Sequence, residues 1–309
     1  MPVVIQTHSD LHPEFDGGRF GVAPIAGVDL IINVGDVGNG AHRHLSRYLD
    51  EMMTNGATVI YVPGNHDGYR EGSNADRAYT LSNVEEECRR ICERAGAHYL
   101  NNDSLTGTAA DGTPWRLFGA TGWSDFSLRP EWMSKKQAMS LSQNGYLSGE
   151  EMPPNLAGRS YHNDYRAIHR SPGKRLSPSD TLAMHNETVE RLGEFLAQPF
   201  EEDGVTIVAT HMPPTHHLVE SGTHGWLYGS SDMEPFMHGE TAPDLWLCGH
   251  VHRSADLLIG DTRLVSNPRG YMMRHRMLAG DIAPENGNWD PQLVLSVELR
   301  PAPAPAPGM

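Results

Sequence analysis

Cysteine is scarce in this 309-residue chain, three in all, and so small and odd a number excludes the disulfide framework of a small secreted domain. Cys88, Cys92 and Cys248 cannot all pair with one another. Cys88 and Cys92 fall one helical turn apart in a segment that reads as helix, where they are most simply small buried hydrophobes, and a reducing cytoplasm is the simpler location. Long apolar runs are also missing. No stretch approaches the roughly 20 residues of a membrane span, and the opening MPVVIQTHSD has no basic region ahead of an apolar one, so neither anchor nor signal peptide is expected. Basic residues are few: 24 Lys and Arg against 39 Asp and Glu give a formal charge of −15. Broad adhesion to duplex nucleic acid or to an anionic membrane is therefore not expected. Length excludes little, since a chain of this size buries a full core without covalent staples.

What is present is a pattern of short Val- and Ile-rich runs alternating with amphipathic stretches, the appearance of strands covered by helices. Strands are predicted over 3–7, 29–34, 58–62, 97–100, 104–108, 115–120, 205–209, 245–248, 256–259, 263–266 and 293–299. A helix over 42–55 places Leu45, Tyr48, Leu49, Met52 and Met53 on one face, with Gly56 as its left-handed stop. A second helix opens on a Ser82–Glu85 capping box and ends at Gly96, and a third spans 179–198. Asp111-Gly112 marks a turn between two strands. Regularity lapses from 122 to 178, a stretch long enough to suggest a lid or cap. Its aromatics, Trp123, Phe126, Trp132, Tyr146, Tyr161 and Tyr165, either stack a nucleobase or, the favoured reading, form a satellite core. PAPAPAPGM at 301–309 reads as an extended polyproline-like tail outside a domain of residues 1–300. The whole suggests two packed sheets flanked by helices, with no internal repeat.

Five polar segments follow predicted strands, where open α/β sheets place their ligand sites: Ser9-Asp10-Leu11-His12, Gly35-Asp36, Gly64-Asn65-His66-Asp67, Thr210-His211 and Gly249-His250-Val251-His252. Taken singly, Asp10 or Asp36 could cap a following helix and His211 could be a buried structural histidine. Together they mix carboxylate oxygen with neutral imidazole, a donor set suited to Mn, Fe(II) or Zn, with Ni or Co also accommodated, whereas Ca and Mg prefer oxygen alone. Two such ions about 3.5–4 Å apart require a bridging carboxylate. A pair of dications outweighs the two carboxylates and leaves a locally positive pocket, suited to a phosphate. The alternate histidines of Gly249–His252 are expected on one face of an extended segment.

The order Asp-x-His, Gly-Asp, Gly-Asn-His-Asp, His, Gly-His-x-His, running from Asp10 to His252, resembles the signature of the calcineurin-like metallophosphoesterases. The resemblance implies a four-layer α/β/β/α sandwich of two mixed sheets flanked by helices, with two divalent ions at the edge where the sheets meet. Carried over residue by residue, it implies Asp10, His12 and His252 at the first ion, Asn65, His211 and His250 at the second, and Asp36 bridging. His66 is not a ligand in this pattern; it would protonate the leaving group or stabilise the transition state. The implied reaction is in-line attack of a hydroxide shared by both ions on a small-molecule phosphodiester or phosphomonoester, with nucleotides or cyclic nucleotides favoured. His211-Met212-Pro213-Pro214 resembles a turn common in bacterial single-domain members, including cyclic-nucleotide phosphodiesterases.

The departures matter too. The protein Ser/Thr phosphatase branch continues its second block as Gly-Asp-x-x-Asp-Arg-Gly, whereas this chain reads Gly35-Asp36-Val37-Gly38-Asn39-Gly40. Asn39 thus stands where that branch has the acid partnering the catalytic histidine, which weakens a protein phosphatase reading and leaves Asp67 as another candidate to orient His66. A nuclease is the nearest enzymatic rival, but no coiled coil or basic arm is visible. A fold that has lost its chemistry would show a gap in the ligand set, and none is seen. His8 is expected to face away or to support the site. His216, His217, His224 and His238 line the pocket mouth or, the favoured reading, lie on the surface. Arg269 holds a phosphate oxygen or makes a surface salt bridge.

Overall fold

The computed structural model describes residues 2–69, 79–145, 162–201, 204–219, 229–274 and 282–298. In chain order its strands are β1 (Val3–His8), β2 (Leu30–Val34), β3 (Thr58–Val62), β4 (His98–Tyr99), β5 (Asp103–Thr108), β6 (Pro114–Ala120), β7 (His169–Ser171), β8 (Lys174–Arg175), β9 (Val205–Thr210), β10 (Leu245–Cys248), β11 (Ala255–Ile259), β12 (Thr262–Ser266), β13 (Met272–Arg274), β14 (Ile282–Pro284) and β15 (Val294–Val297). One sheet runs β15-β1-β2-β3-β4 and the other β11-β12-β10-β9-β6-β5. Within the first, β1, β2, β3 and β4 are parallel; within the second, β6, β9, β10 and β12 are parallel. Each strand of both sheets overlaps a predicted one, and β2, β3, β9 and β10 read most clearly, because strands buried on both faces need apolar side chains at successive positions.

The layers follow from which faces those side chains bury. Ile5, Ile32 and Ile60 of the first sheet meet Leu117, Ile207 and Leu247 of the second in the central core. The outer face of the first sheet, with Ile31, Val59 and Tyr61, packs under α1 (Leu45–Met52) and α2 (Leu81–Ala95). Phe118, Val208, Trp246 and Leu264 on the outer face of the second pack under Leu192, Phe195 and Leu196 of α5 (Pro178–Ala197). The result is an α/β/β/α sandwich, as the motif order implied. Cys88 and Cys92 lie on the buried face of α2 among apolar neighbours.

Residues between β6 and α5 carry α3 (Lys135–Asn144), α4 (Asp164–Ala167) and the β7–β8 hairpin, more regular structure than the sequence suggested. Trp123, Phe126, Leu141, Tyr165 and Ile168 form a core of their own, closed by Tyr69 and Met212 from loops of the sandwich. The aromatics thus make the satellite core, apart from Trp132, which is exposed. Tyr146, Tyr161 and the tail at 301–309 lie outside the described residues.

Two helix boundaries differ from expectation. Helix α1 ends at Met52 with Met53 as its cap, so Gly56 serves the turn beyond and does not stop the helix. Thr80, not Ser82, caps α2, its hydroxyl accepting from the Asn83 amide at 3.4 Å, and Gly96 closes the helix with φ 78°. Glu85 is therefore released from the expected capping box and turns inward, accepting from Asn101 Nδ2 at 3.1 Å.

Burial raises the Glu85 carboxyl to about 7, only partly opposed by Arg170 and Arg89. The unfolded chain loses this proton near pH 4.5 while the folded chain keeps it, so stability falls as pH rises from about 4.5 to 7 and the penalty persists above that. Glu85→Gln removes the penalty, and denaturant titrations should find the variant more stable than the parent at pH 8, by roughly 2 kcal/mol, with no such gain at pH 4.

Candidate metal centre

Because the strands of each half run parallel, their carboxyl ends lie at one edge, and the loops leaving β1, β2, β3, β9 and β10 deliver the five polar segments there. The loops are stitched by backbone hydrogen bonds: Asp10 N donates to Gly35 O at 3.0 Å, Leu11 N to Asp36 O at 2.9 Å and Gly249 N to His211 O at 3.0 Å. Among the described residues, seven other than glycine have left-handed backbone. Five of them are Asp10 (φ 51°), His12 (39°), Asp36 (55°), His250 (68°) and His252 (46°). Such conformations cost energy and persist where surrounding contacts impose them, which is characteristic of functional sites. They also correct the expected local geometry: His250 and His252 do not alternate along an extended strand, and a tight turn, with Val251 N donating to Gly249 O at 2.8 Å, directs them to different parts of the cluster.

All eight residues singled out in the sequence are brought together. Asp10, His12 and His252 form one group whose ligand atoms lie within 4.8 Å of one another; Asp36, His211 and His250 form a second, and His12, Asp36 and His66 a third. Asp36 is common to two of them. Its Oδ1 accepts from the His66 amide at 2.9 Å, which leaves Oδ2 facing His211 Nε2 at 3.3 Å and His12 Nε2 at 3.9 Å. Asp10 accepts from Ser9 Oγ and from the His250 amide while its Oδ1 faces His252 Nε2 at 3.3 Å. Asn65 Oδ1 lies 3.0 Å from His211 Nε2 and 3.1 Å from His250 Nδ1.

Outer partners aim three of the imidazoles. His12 Nδ1 meets Glu14 at 3.1 Å, His252 Nδ1 meets Glu285 at 2.7 Å and His211 Nδ1 donates to Val34 O at 2.7 Å, so each turns Nε2 inward. His12 Nε2 is buried and has no hydrogen-bond partner. A buried nitrogen without a partner, facing carboxylate oxygen beside two further inward-turned imidazole nitrogens, is the arrangement a divalent ion satisfies. The donor set therefore fits two such ions.

The electrostatics point the same way. Burial, the largest single influence, would raise the Asp36 carboxyl, but the charge and hydrogen bond of His211 together with the nearby His66 outweigh it and hold the group at about 2. Against the same burial, the hydrogen bond from His252 and the charges of His211 and His252 keep Asp10 well below the carboxylate range. Burial should lower His211 and His252, yet Asp36 and Asp10 lift both to about 10. Each carboxylate thus retains a proton on the imidazole it faces, a positive charge that a bound cation would replace.

His66 sits at the rim with Nδ1 2.7 Å from Asn39 Oδ1, so Asn39 fills the place of the missing acid and, as an acceptor, fixes the proton on Nδ1. Asp67 does not orient His66: its carboxylate accepts from Tyr61 Oη and from Gly64 N at 2.6 Å. His8 turns away, 2.8 Å from Tyr48 Oη under α1. Arg269 is neither a surface residue nor a member of the cluster. It is buried, its guanidinium donating to Asp16 and to the carbonyls of Arg19, Phe20 and His12, so that it holds the loop carrying His12. His216 and His217 are exposed beside Glu234 and His238 is exposed, as favoured, while His224 lies outside the described residues.

Sequence reading missed Tyr271, whose hydroxyl is 3.2 Å from His66 Nε2, and Tyr69, whose ring stacks on His66 with centroids 4.0 Å apart. It also missed Asp164, which holds Asn65 Nδ2 at 2.8 Å. Tyr271 stands two positions after Arg269, a residue that the sequence singled out.

The glycine before Asn65 is required by close approach. A methyl group on Gly64 would overlap Asp36 Oδ1 and come within 2.7 Å of the Asp36 amide nitrogen. Gly64→Ala should displace Asp36 and weaken metal uptake by about 100-fold or more, beyond the effect of losing a supporting contact, as read by elemental analysis after dialysis against limiting metal.

A family model for calcineurin-like phosphoesterases matches residues 9–254, a span that contains every one of the cluster residues. The chain belongs to the calcineurin-like phosphoesterase family. It is accordingly a metal-dependent phosphoesterase. Among solved structures it is similar to a phosphopantetheinyl hydrolase from Mycobacterium tuberculosis, with a TM-score of 0.67 at 18% identity over 94% of this chain and 97% of that one, which establishes the shared fold. Among curated proteins it is 20% identical, over 77% of each chain, to the uncharacterised protein L509 of Acanthamoeba polyphaga mimivirus. No described helix of this phosphoesterase is long and apolar enough to cross a membrane.

Proposed function

We propose that this phosphoesterase hydrolyses small-molecule phosphodiesters or phosphomonoesters, with nucleotides or cyclic nucleotides the favoured class, using two divalent ions. The first would be held by Asp10, His12 and His252, the second by Asn65, His211 and His250, with Asp36 shared. The observation that carries this reading is the placement of Asp36 Oδ2 between His211 Nε2 and His12 Nε2. When bound, the ions would supply Lewis acidity to the phosphoryl group and lower the pKa of a coordinated water. The mixed nitrogen and oxygen donors suit Mn, Fe or Zn, with Ni and Co as further candidates.

His66 is the proton-transfer residue of this scheme. Burial lowers its pKa to about 4, so it is neutral at pH 7, with Nδ1–H given to Asn39 and the Nε2 lone pair toward Tyr271. An incoming phosphate anion raises that pKa by its charge, and the protonated Nε2 then donates to the departing oxygen. Tyr271 and Tyr69 restrict the ring to this orientation from its edge and its face. Asn39 in place of an acid disfavours the protein phosphatase alternative, and the acidic chain disfavours a nuclease.

The test is a panel of an aryl monoester, an aryl diester, cyclic nucleotides and single-stranded DNA, assayed on metal-free protein with each ion restored in turn. Turnover of the diester or a cyclic nucleotide that depends on restored metal supports the reading. Activity confined to DNA, or unaltered by metal removal, contradicts it.

A further inference from the structure

Among the described residues between β6 and α5, Asp164 hydrogen-bonds directly to a member of the metal cluster. Asp164, in the first turn of α4, is 1% exposed. Its Oδ1 accepts from Asn65 Nδ2 at 2.8 Å and from Tyr69 Oη at 2.7 Å, and its Oδ2 meets His162 Nδ1 at 2.8 Å. Asn65 lies 99 residues earlier in the chain. The residues that follow Asp164 are themselves anchored, since Ile168 and Leu176 are buried in the satellite core and Tyr165 Oη bonds Thr181 Oγ1 of α5 at 3.0 Å.

We propose that Asp164 is a positioning residue that sets which end of the Asn65 amide faces the metals, and that α4, which carries it, is thereby part of the second metal site. The inference rests on the two-metal reading above. Its physical basis is that an asparagine side chain has a carbonyl oxygen able to ligate a cation and an NH2 that is not, on a rotor that can present either. An ionised carboxylate only accepts hydrogen bonds. Placed behind Asn65 it selects the NH2 and turns Oδ1 inward, where it lies 3.0 Å from His211 Nε2 and 3.1 Å from His250 Nδ1. The same oxygen holds Tyr69, which stacks on His66, so one carboxylate braces both residues of the Asn65-His66 turn.

Calorimetric titration of the metal-free 309-residue chain with Mn(II) tests this. Asp164→Ala should weaken the second ion about 10- to 100-fold while changing the first by no more than about threefold, in keeping with the loss of a partner to a ligand and not of a ligand itself. Asp164→Asn, whose own amide accepts but no longer selects, should weaken the second ion roughly fivefold as a charge-assisted bond becomes neutral. If Asp164→Ala does not fold, the Asp164→Asn titration decides alone, and an unchanged second affinity there overturns the proposal. A double-mutant cycle separates positioning from bulk stability: in an Asn65→Ala background, Asp164→Ala should weaken the second ion no further. Equal loss at both ions, or additive losses in the cycle, overturns the proposal. Parent protein that takes up fewer than two ions overturns the two-metal reading itself, whereas two ions with an Asp164→Ala second affinity equal to that of the parent overturns the role of Asp164 alone.

Discussion

Asp36→Asn is expected to leave a folded chain that no longer retains a pair of ions and turns over phosphoesters at least 100-fold more slowly than the parent. The substitution is nearly isosteric, and an amide oxygen can still accept from the His66 backbone N–H that Asp36 Oδ1 receives at 2.9 Å. What disappears is the negative oxygen between His211 and His12. Loss of an outer partner weakens a metal site by about 10- to 100-fold, and loss of a shared anionic ligand should exceed that, because the mutual repulsion of two dications then goes uncompensated. Elemental analysis after gel filtration, beside the rate on an aryl phosphodiester, reads both quantities. Two retained ions with parental turnover would remove Asp36 from the bridging position.

His66→Ala should separate metal binding from proton transfer. The residue lies at the rim, its Nδ1 fixed by Asn39 and its ring held by Tyr69 and Tyr271, and the hydrogen bond it gives Asp36 comes from its backbone amide, which alanine keeps. Both ions should be kept. Turnover should fall by about 10²–10⁴ for substrates with poor leaving groups, the usual contribution of a positioned acid, and far less for a nitrophenolate that departs without help. In a plot of log kcat against leaving-group pKa the variant line should be steeper than that of the parent. Parallel lines would mean that His66 does not protonate the departing oxygen.

The residues that chemistry requires were the easiest to read. Asp10, Asp36, Asn65, His211 and His250 each follow an apolar run that can only be a buried strand, and parallel strands bring their ends together without further information. Their detailed geometry was not legible. The turn that separates His250 from His252 depends on left-handed backbone at both residues, which no alternation of side chains announces. Arg269 was misplaced because a lone arginine in a loop is usually at the surface; its burial follows from carbonyls at His12, Arg19 and Phe20, some 250 residues away. Asp164 was invisible for a related reason. It stands in a stretch of weak pattern, and nothing local to it records a hydrogen bond to Asn65. Long-range polar contacts are set by the packing of the sheets and appear in the sequence only as ordinary polar residues.

Anomalous diffraction from crystals of the 309-residue chain grown with Mn(II) tests the central claim most directly. Two peaks are predicted, one touching Asp10, His12 and His252 and the other touching Asn65, His211 and His250, with Asp36 in contact with both. A single peak, or density at neither position in protein that still hydrolyses phosphoesters, would contradict the two-metal account.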